Sequence, residues 1–419
     1  MRGILITGAL TIGLLFGAGA GTADAQIDPL RSVQWALDAI HLGNLGARTQ
    51  QPAPAGAGVT VAIIDSGVES SHPDLSGRVI QGPDLVDGPG GPEDPNGHGT
   101  HMAGLVAAAS DNGIGGAGIA PAAQILAIRV LDHRNVGTPA NVASGIDAAV
   151  ALGADVINLS LNWPAPSAAL VPVTAAMERA ADAGIAVVIA SGNDAQPRCE
   201  EPVLADRTLC VGAVNGNIRR APFSSHGTGL GIVAPGEDVV STWRGAEYSS
   251  VSGTSQAAAM TSGVAALLAG LGLRGQAIVD RLVATARDIG APGPDDANGH
   301  GLLDAERAVE GATAGTVAPL LRVAVPQGRV TVGAVRRRGL KVDCDAARPG
   351  TCRVRVRVGR VVVAKGQRRV DGSGSVSVVA RATAAGRRML RTSRSRSAVV
   401  AAALDGAPGA RRSLTLRAR

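Results

Sequence analysis

Aromatic side chains are almost missing from this chain of 419 residues: Trp35, Trp163, Trp243, Tyr248, Phe16 and Phe223 are all there are. A core must therefore be built from Ala, Val, Leu, Ile and Gly. At this length it can be large enough to stand without metals or many disulfides. Lysine is nearly absent too, since of 40 basic residues only Lys341 and Lys365 are not arginine. That bias fits a GC-rich coding sequence and carries no function by itself. Long apolar runs are confined to the N-terminus, so no other stretch could span a bilayer. The basic region lacks the interleaved aromatics of a single-strand binding platform, which argues against nucleic acid as a partner.

Cysteine is scarce as well. Cys199 and Cys210 form one local pair, and Cys344 and Cys352 another. Four cysteines allow three connectivities. Pairing of neighbours is the simplest; the other two would staple the two halves of the chain together. An export signal would permit such bonds, and the N-terminus reads as one. Arg2 supplies the positive charge, residues 4–16 the apolar stretch, and Ala23-Asp24-Ala25 a small-x-small cleavage site. The expectation is a secreted or cell-surface protein, a monomer, with residues 1–25 removed.

The length suggests two domains, and charge marks their boundary. Residues 316–419 hold 24 basic and 4 acidic residues, a net +20, leaving 16 basic and 30 acidic residues, a net −14, before position 316. Residues 59–64 form a continuous apolar, β-branched run, which suits a strand buried on both faces of a parallel sheet. Similar runs lie at 125–130, 156–159, 185–190 and 210–214. Helical stretches are expected at 98–109, 141–152, 173–183, 255–268 and 275–286. Strands alternating with helices predict an α/β fold with a mostly parallel sheet covered on both sides. Beyond about 315 the pattern becomes short strands, predicted at 322–325, 329–335, 339–342, 352–363, 375–380, 398–404 and 413–417. A short helix is expected at 383–390. Seven short strands fit a small immunoglobulin-like sandwich.

Three residues stand in glycine-rich signatures. They are Asp65 in Ile64-Asp65-Ser66-Gly67-Val68, His98 in Asn96-Gly97-His98-Gly99-Thr100-His101, and Ser255 in Ser252-Gly253-Thr254-Ser255-Gln256-Ala257. An acid, a base and a hydroxyl nucleophile suffice for a Ser-His-Asp triad. His98 and Ser255 each open a predicted helix, whose N-terminus favours developing negative charge. Asn193, in Ala190-Ser191-Gly192-Asn193-Asp194, follows a buried strand and could donate its amide to an oxyanion. His101 and His72 read as packed residues.

The order Asp, His, Ser in these contexts resembles the subtilisin-like (subtilase) serine peptidase family, from about residue 28 to about 309. The resemblance implies a three-layer subtilisin-like fold over residues 26–315, peptide-bond hydrolysis, and an oxyanion role for Asn193. It also implies that Ser160, Leu161, Asn162 and Trp163, with Ser191 and Gly192, line the substrate site. No cofactor is implied for the chemistry. A structural calcium ion is expected at Asp74, with Asp28, Asp111 and Asn112 completing an oxygen site. Residues 316–419 loosely resemble the Ig-like β domains appended to secreted bacterial hydrolases. Their arginines could bind anionic cell-wall polymer or the acidic half of the chain.

The sequence also departs from the family pattern. Ala259 stands where a proline is usual, and Gln256 where Met or Phe is usual. Asn162 and Trp163 replace two glycines, which should reshape the pocket before the cleaved bond and favour small side chains. Only 39 residues separate Ala25 from Asp65, too few for the usual propeptide, so folding is expected to proceed unaided or with a separate helper. These changes keep a second reading open, that of a catalytically impaired subtilase-fold protein that binds cell surfaces through its basic region.

Overall fold

The apolar run around Ile63 becomes the middle of a sheet. The computed structural model describes residues 27–44, 55–89, 91, 93–162, 167–199, 207–312, 321–324, 330–346, 350–358, 361–370, 374–390, 396–404 and 411–416. The expected leader and Trp163 lie outside them.

Seven strands form the first sheet: β1 (Thr60–Asp65), β2 (Val79–Asp84), β3 (Gln124–Arg129), β4 (Val156–Leu159), β5 (Ala186–Ala190), β6 (Leu209–Val214) and β7 (Ile232–Pro235). Their order is β2-β3-β1-β4-β5-β6-β7, and every pairing is parallel. Helices that matter for the site are α1 (Trp35–Ala39), α2 (His98–Ala107), α3 (Pro139–Leu152), α4 (Ser167–Asp182), α5 (Thr254–Gly270), α6 (Gln276–Thr285) and α7 (Ala305–Val309).

The period of two in a strand explains why β1 is apolar throughout. Val61 and Ile63 join the core beneath α2 and α5, with Met102, Val106 and Met260. Ala62 and Ile64 face the other way, onto Val142 and Ile146 of α3 and Val173 and Met177 of α4. The result is three layers, helices over sheet over helices. Full burial of one such side chain stabilises by about 1.5–3 kcal/mol, and Ile63→Ala would cost about 2–5 kcal/mol.

α5 runs through the interior, buried from Thr254 to Ala269. That is possible because its sequence is mostly Ala, Ser and Gly. α3 starts earlier than its apolar periodicity suggests. The Thr138 hydroxyl caps it by accepting from the Asn141 N–H, and Pro139 supplies its first turn.

Strands β2 and β7 and the hairpin of β8 (Val239–Trp243) and β9 (Glu247–Val251) were not expected from the sequence. β2 and β7 each contain a proline, which masks a strand by the usual criteria. The hairpin turns through Gly245 and Ala246, both at positive φ.

The C-terminal strands are β10 (Leu321–Ala324), β11 (Leu340–Ala346), β12 (Gly350–Val358), β13 (Val361–Val370), β14 (Gly374–Ala382), β15 (Arg396–Leu404) and β16 (Arg411–Leu416). They are antiparallel, in the order β10-β11-β14-β13-β12-β15-β16, the all-β region expected there; β13 meets β14 at Ala364–Ala382 and Lys365–Arg381. The strand expected at 329–335 is instead largely helix α8 (Val332–Arg338). Val332 and Val335, three apart, are its buried residues, and the Thr331 hydroxyl accepts from the Ala334 N–H at 3.2 Å. The stretch expected as one strand, 352–363, is two, β12 and the start of β13. The expected helix at 383–390 is α9 (Ala384–Met389).

Disulfides join Cys199 to Cys210 and Cys344 to Cys352. Neighbour pairing therefore holds, and each bond stays within its own half of the chain.

Candidate active site

Asp65 is the last residue of β1, and His98 is the first of α2. Their approach depends on two glycines. Gly97 caps α2 at φ 107°, a conformation that side chains with a Cβ rarely adopt. A Cβ on Gly99 would sit 1.9 Å from the Gly67 carbonyl oxygen, so α2 can pack directly on the turn after β1. His98 Nδ1 then lies 2.8 Å from Asp65 Oδ1, the same oxygen that accepts from the Ser66 N–H at 2.7 Å. Since a carboxylate only accepts, Nδ1 carries the proton and Nε2 is left as the base.

Asp94 holds this arrangement from below. Its Oδ1 accepts from the Ser66 hydroxyl and from the N–H groups of Asn96 and Gly97. Its Oδ2 accepts from both the N–H and the hydroxyl of Thr100. One carboxylate thus ties the residue after Asp65 to the first turn of α2. Burial works against a charged His98 imidazole. Asp65, by charge and hydrogen bond, and Asp94 outweigh that, and the His98 pKa lies above its ordinary value. The sequence offered Asp94 only as an acid four residues before His98, with nothing to mark its role.

Ser255, the second residue of α5, is 8% exposed at the edge of a cleft of about 220 Å³. The cleft is lined by His98, Ser160, Leu161, Asn162, Gly192 and Asn193, among others. In this structure the Ser255 hydroxyl donates to the Ser160 carbonyl at 3.4 Å. As a first-turn group, the Ser255 N–H has no acceptor within its helix. Asn193 Oδ1 accepts twice from Thr254, N–H at 2.9 Å and hydroxyl at 3.0 Å. That fixes which end of the amide is which, and Asn193 is itself part of the cleft lining.

A buried relay fastens α5 to the sheet. The Ser262 hydroxyl donates to Asn158 Oδ1, Asn158 Nδ2 to the Ser160 hydroxyl, and that hydroxyl to the Ser255 carbonyl. Asn158 is a polar residue inside an apolar strand, and nothing in the local sequence marks its role.

An Asp-His pair at a strand end, beside a serine at a helix N-terminus and an oriented amide, is an arrangement suited to acyl transfer. The family comparison agrees: residues 56–301 match the model of the subtilase family. The chain belongs to the subtilase family. It is 43% identical over 237 residues to a thermophilic serine proteinase of Bacillus sp. (strain AK1), covering 57% of this chain and 58% of that one. It is 40% identical over 255 residues to thermitase of Thermoactinomyces vulgaris, covering 61% of this chain and 90% of that one. Subtilisin Savinase of Lederbergia lenta is 41% identical over 243 residues, 57% of this chain and 84% of its own.

The other expected residues of this subtilase divide. Ser160, Leu161, Asn162 and Gly192 line the cleft. Ser191 does not: its hydroxyl donates to the Ser225 carbonyl and the residue is fully buried, so it pins the loop after β5. Val251, from the unexpected hairpin, and Asn135 join the cleft. Gln256 has a buried amide with no hydrogen-bond partner among the described residues. His101 is packed, with Nε2 3.1 Å from the Ser249 carbonyl and its ring edge-on to Trp243. Burial, then repulsion from His98, pushes its pKa down to about 3.

The expected calcium ligands also come together, but not as ligands. Asp28 accepts from the N–H groups of Asp111, Asn112 and Gly113, so Asp111 contributes its backbone and not its carboxylate. Asp74 accepts from Asn112 Nδ2 and the Tyr248 hydroxyl, both at 2.9 Å. Burial and the adjacent Asp74 raise the Tyr248 pKa, so that hydroxyl stays a donor. Asn112 Oδ1 is taken by the Ile114 N–H. These groups present hydrogens where a cation needs lone pairs, and they do not fit a calcium ion. Among the described residues no group of three or more His, Cys, Asp or Glu side chains is placed to hold a metal.

Proposed function

We propose that this subtilase is an exported serine endopeptidase. The observation that carries the reading is the 2.8 Å Asp65–His98 contact in the cleft that Ser255 and Asn193 also line. A substrate strand would lie against Ser160, Leu161 and Asn162. The Ser255 hydroxyl turns from the Ser160 carbonyl toward His98 Nε2 and attacks the peptide carbonyl carbon, and its proton passes to Nε2. Asp65 stabilises the resulting imidazolium. The carbonyl oxygen, now negative, accepts from Asn193 Nδ2 and the Ser255 N–H. The C–N bond breaks as His98 returns the proton to the leaving amine. Water, deprotonated by His98, then attacks the acyl carbon, and the ester C–O bond breaks as His98 returns the proton to the Ser255 oxygen.

Removal of residues 1–25, a peptidase region over 26–315 and a separate basic β region over 316–419 complete the reading, with the protein acting as a monomer. Among the described residues no helix is long and apolar enough to cross a membrane. The basic region is read as a small Ig-like module that contacts anionic surfaces.

A fluorophosphonate probe tests the chemistry. Labelling of the wild type and not of Ser255→Ala is the expected result. Absence of labelling in folded protein would favour the impaired, surface-binding reading, for which the side chain of Asn162 in the cleft is the structural argument.

A further inference from the structure

The C-terminal sheet carries an outward row of positive charge. On β12, Cys352, Val354 and Val356 are buried while Arg353 and Arg355 between them are exposed. Arg355 pairs directly with Lys365 of β13, and Lys365 pairs directly with Arg381 of β14. All three are exposed. Directly paired residues of neighbouring strands point to the same face, about 4.8 Å apart. Three cations therefore stand side by side across three strands. Along the strands, Arg353 lies opposite Gln367 and Arg369 opposite Thr351, extending the same face.

Such a row is unfavourable on its own, because like charges directly opposite each other weaken a sheet. Nothing within these strands offsets it: β12, β13, β14, β15 and β16 contain no Asp or Glu. On neighbouring β11, Lys341 and Asp343 form an ion pair. Asp343, on the same face as the row, is already engaged by Lys341 and by the Ser377 hydroxyl, so an anion from outside the sheet would relieve the row. No aromatic residue follows Tyr248 in the chain, so the face offers no platform on which bases could stack.

We infer that this face is a docking surface for a linear polyol-phosphate polymer, a phosphate-bearing chain without bases. Successive phosphates crossing the strands meet Arg355, Lys365 and Arg381 in turn, and guanidinium groups bind phosphate through paired, charge-assisted hydrogen bonds. Arg353 and Arg369 extend the track along β12 and β13. The inference deepens the reading of residues 316–419 as a surface-contacting region and is independent of Ser255 chemistry.

The test titrates labelled poly(glycerol phosphate) with the full mature chain at salt concentrations from about 50 to 200 mM. The variant Arg355→Ser/Lys365→Ser/Arg381→Ser removes the row. Arg336→Ser/Arg337→Ser/Arg338→Ser removes the same charge from the exposed side of α8. The row variant should bind about tenfold to a hundredfold more weakly, with a salt dependence shallower by about 2 in log–log slope. The α8 variant should change little. A single reversal, Arg355→Glu, should also weaken binding. Cleavage of a small peptide amide should be unaltered in all three, which separates failure here from failure of the peptidase reading. Equal losses in both triple variants would mean undirected charge attraction and overturn the inference. So would no binding by the wild type, or tighter binding of single-stranded DNA of equal charge.

Discussion

Thr254 gives both its N–H and its hydroxyl to the same oxygen of Asn193. The residue before Ser255 thereby aims the amide proposed to meet the oxyanion. Asn193→Ala should lower kcat by about 10² to 10³ with little change in KM, because the lost donor matters only once charge develops. Thr254→Val keeps the N–H but loses the hydroxyl. It should leave the amide oriented by one bond instead of two and reduce kcat by a smaller factor, about tenfold. Steady-state kinetics on one peptide amide checks both. Equal losses for the two variants would mean that Thr254 does more than orient Asn193.

His98 and His101 should respond to pH with opposite signs. His98 must be neutral to act as a base, and its pKa is raised. The acid limb of kcat/KM should therefore have its midpoint above 6.5. In stability, the contribution of the charged His98–Asp65 pair is full below 6.5 and is lost as pH rises through the raised folded value. Asp94→Asn should lower the limb while leaving Nδ1 bonded to Asp65. A limb unmoved in that variant would remove Asp94 from the electrostatics of the site.

His101, with its pKa near 3, acts in the other direction. Its neutral form contributes stability above 6.5, and this is lost as pH falls toward 3. His101→Gln retains an N–H for the Ser249 carbonyl and removes the titration. Its melting temperature should fall less steeply between those values than that of the wild type. Parallel curves would show that His101 takes up its proton without cost.

Gln256 is a polar side chain in a place that gives it no partner. Replacement of such a group by an apolar one of similar shape is neutral or stabilising, since the buried amide no longer goes unbonded. Gln256→Met should raise stability by about 1 kcal/mol, read from urea unfolding. A loss of stability on substitution would mean that the amide is bonded in solution, through water or through a rearranged neighbour.

Much of the α/β unit was legible because its buried strands are uninterrupted apolar runs and its helices keep their period. The same logic hid β2 and β7, where Pro83 and Pro235 break the apolar signal, and the β8–β9 hairpin, whose polar alternation resembles a loop. In the C-terminal region, Val330, Val332 and Val335 satisfied two periods at once, and only the Thr331 cap decided for helix. At the site, Asp65, His98, Ser255 and Asn193 stand in local motifs that a sequence displays. Asp94, Asn158 and Thr254 act through partners up to 104 residues away, which no local pattern records. Ser191 misled for the converse reason: it lies in a motif but turns toward Ser225.

The loop at 111–116 gives the sharpest contrast between a family expectation and this chain. Asp28, 4% exposed, collects three backbone N–H groups from it, and Asp74 is filled by Asn112 and Tyr248. Asp28→Ala removes the shared acceptor of those N–H groups; Asp111 and Asn112 are exposed, so water takes up part of the loss and the total cost should be about 1–3 kcal/mol. For a domain of this size each kcal/mol lowers the melting temperature by about 2–4 °C. The drop should be the same with calcium and with a chelator, and the wild type should melt at one temperature in both. An ion that bound only the folded state would instead raise melting with its concentration. A rise in the wild type that vanished in Asp28→Ala would mean that Asn112 and Tyr248 give up Asp74, and that the loop re-forms around a cation.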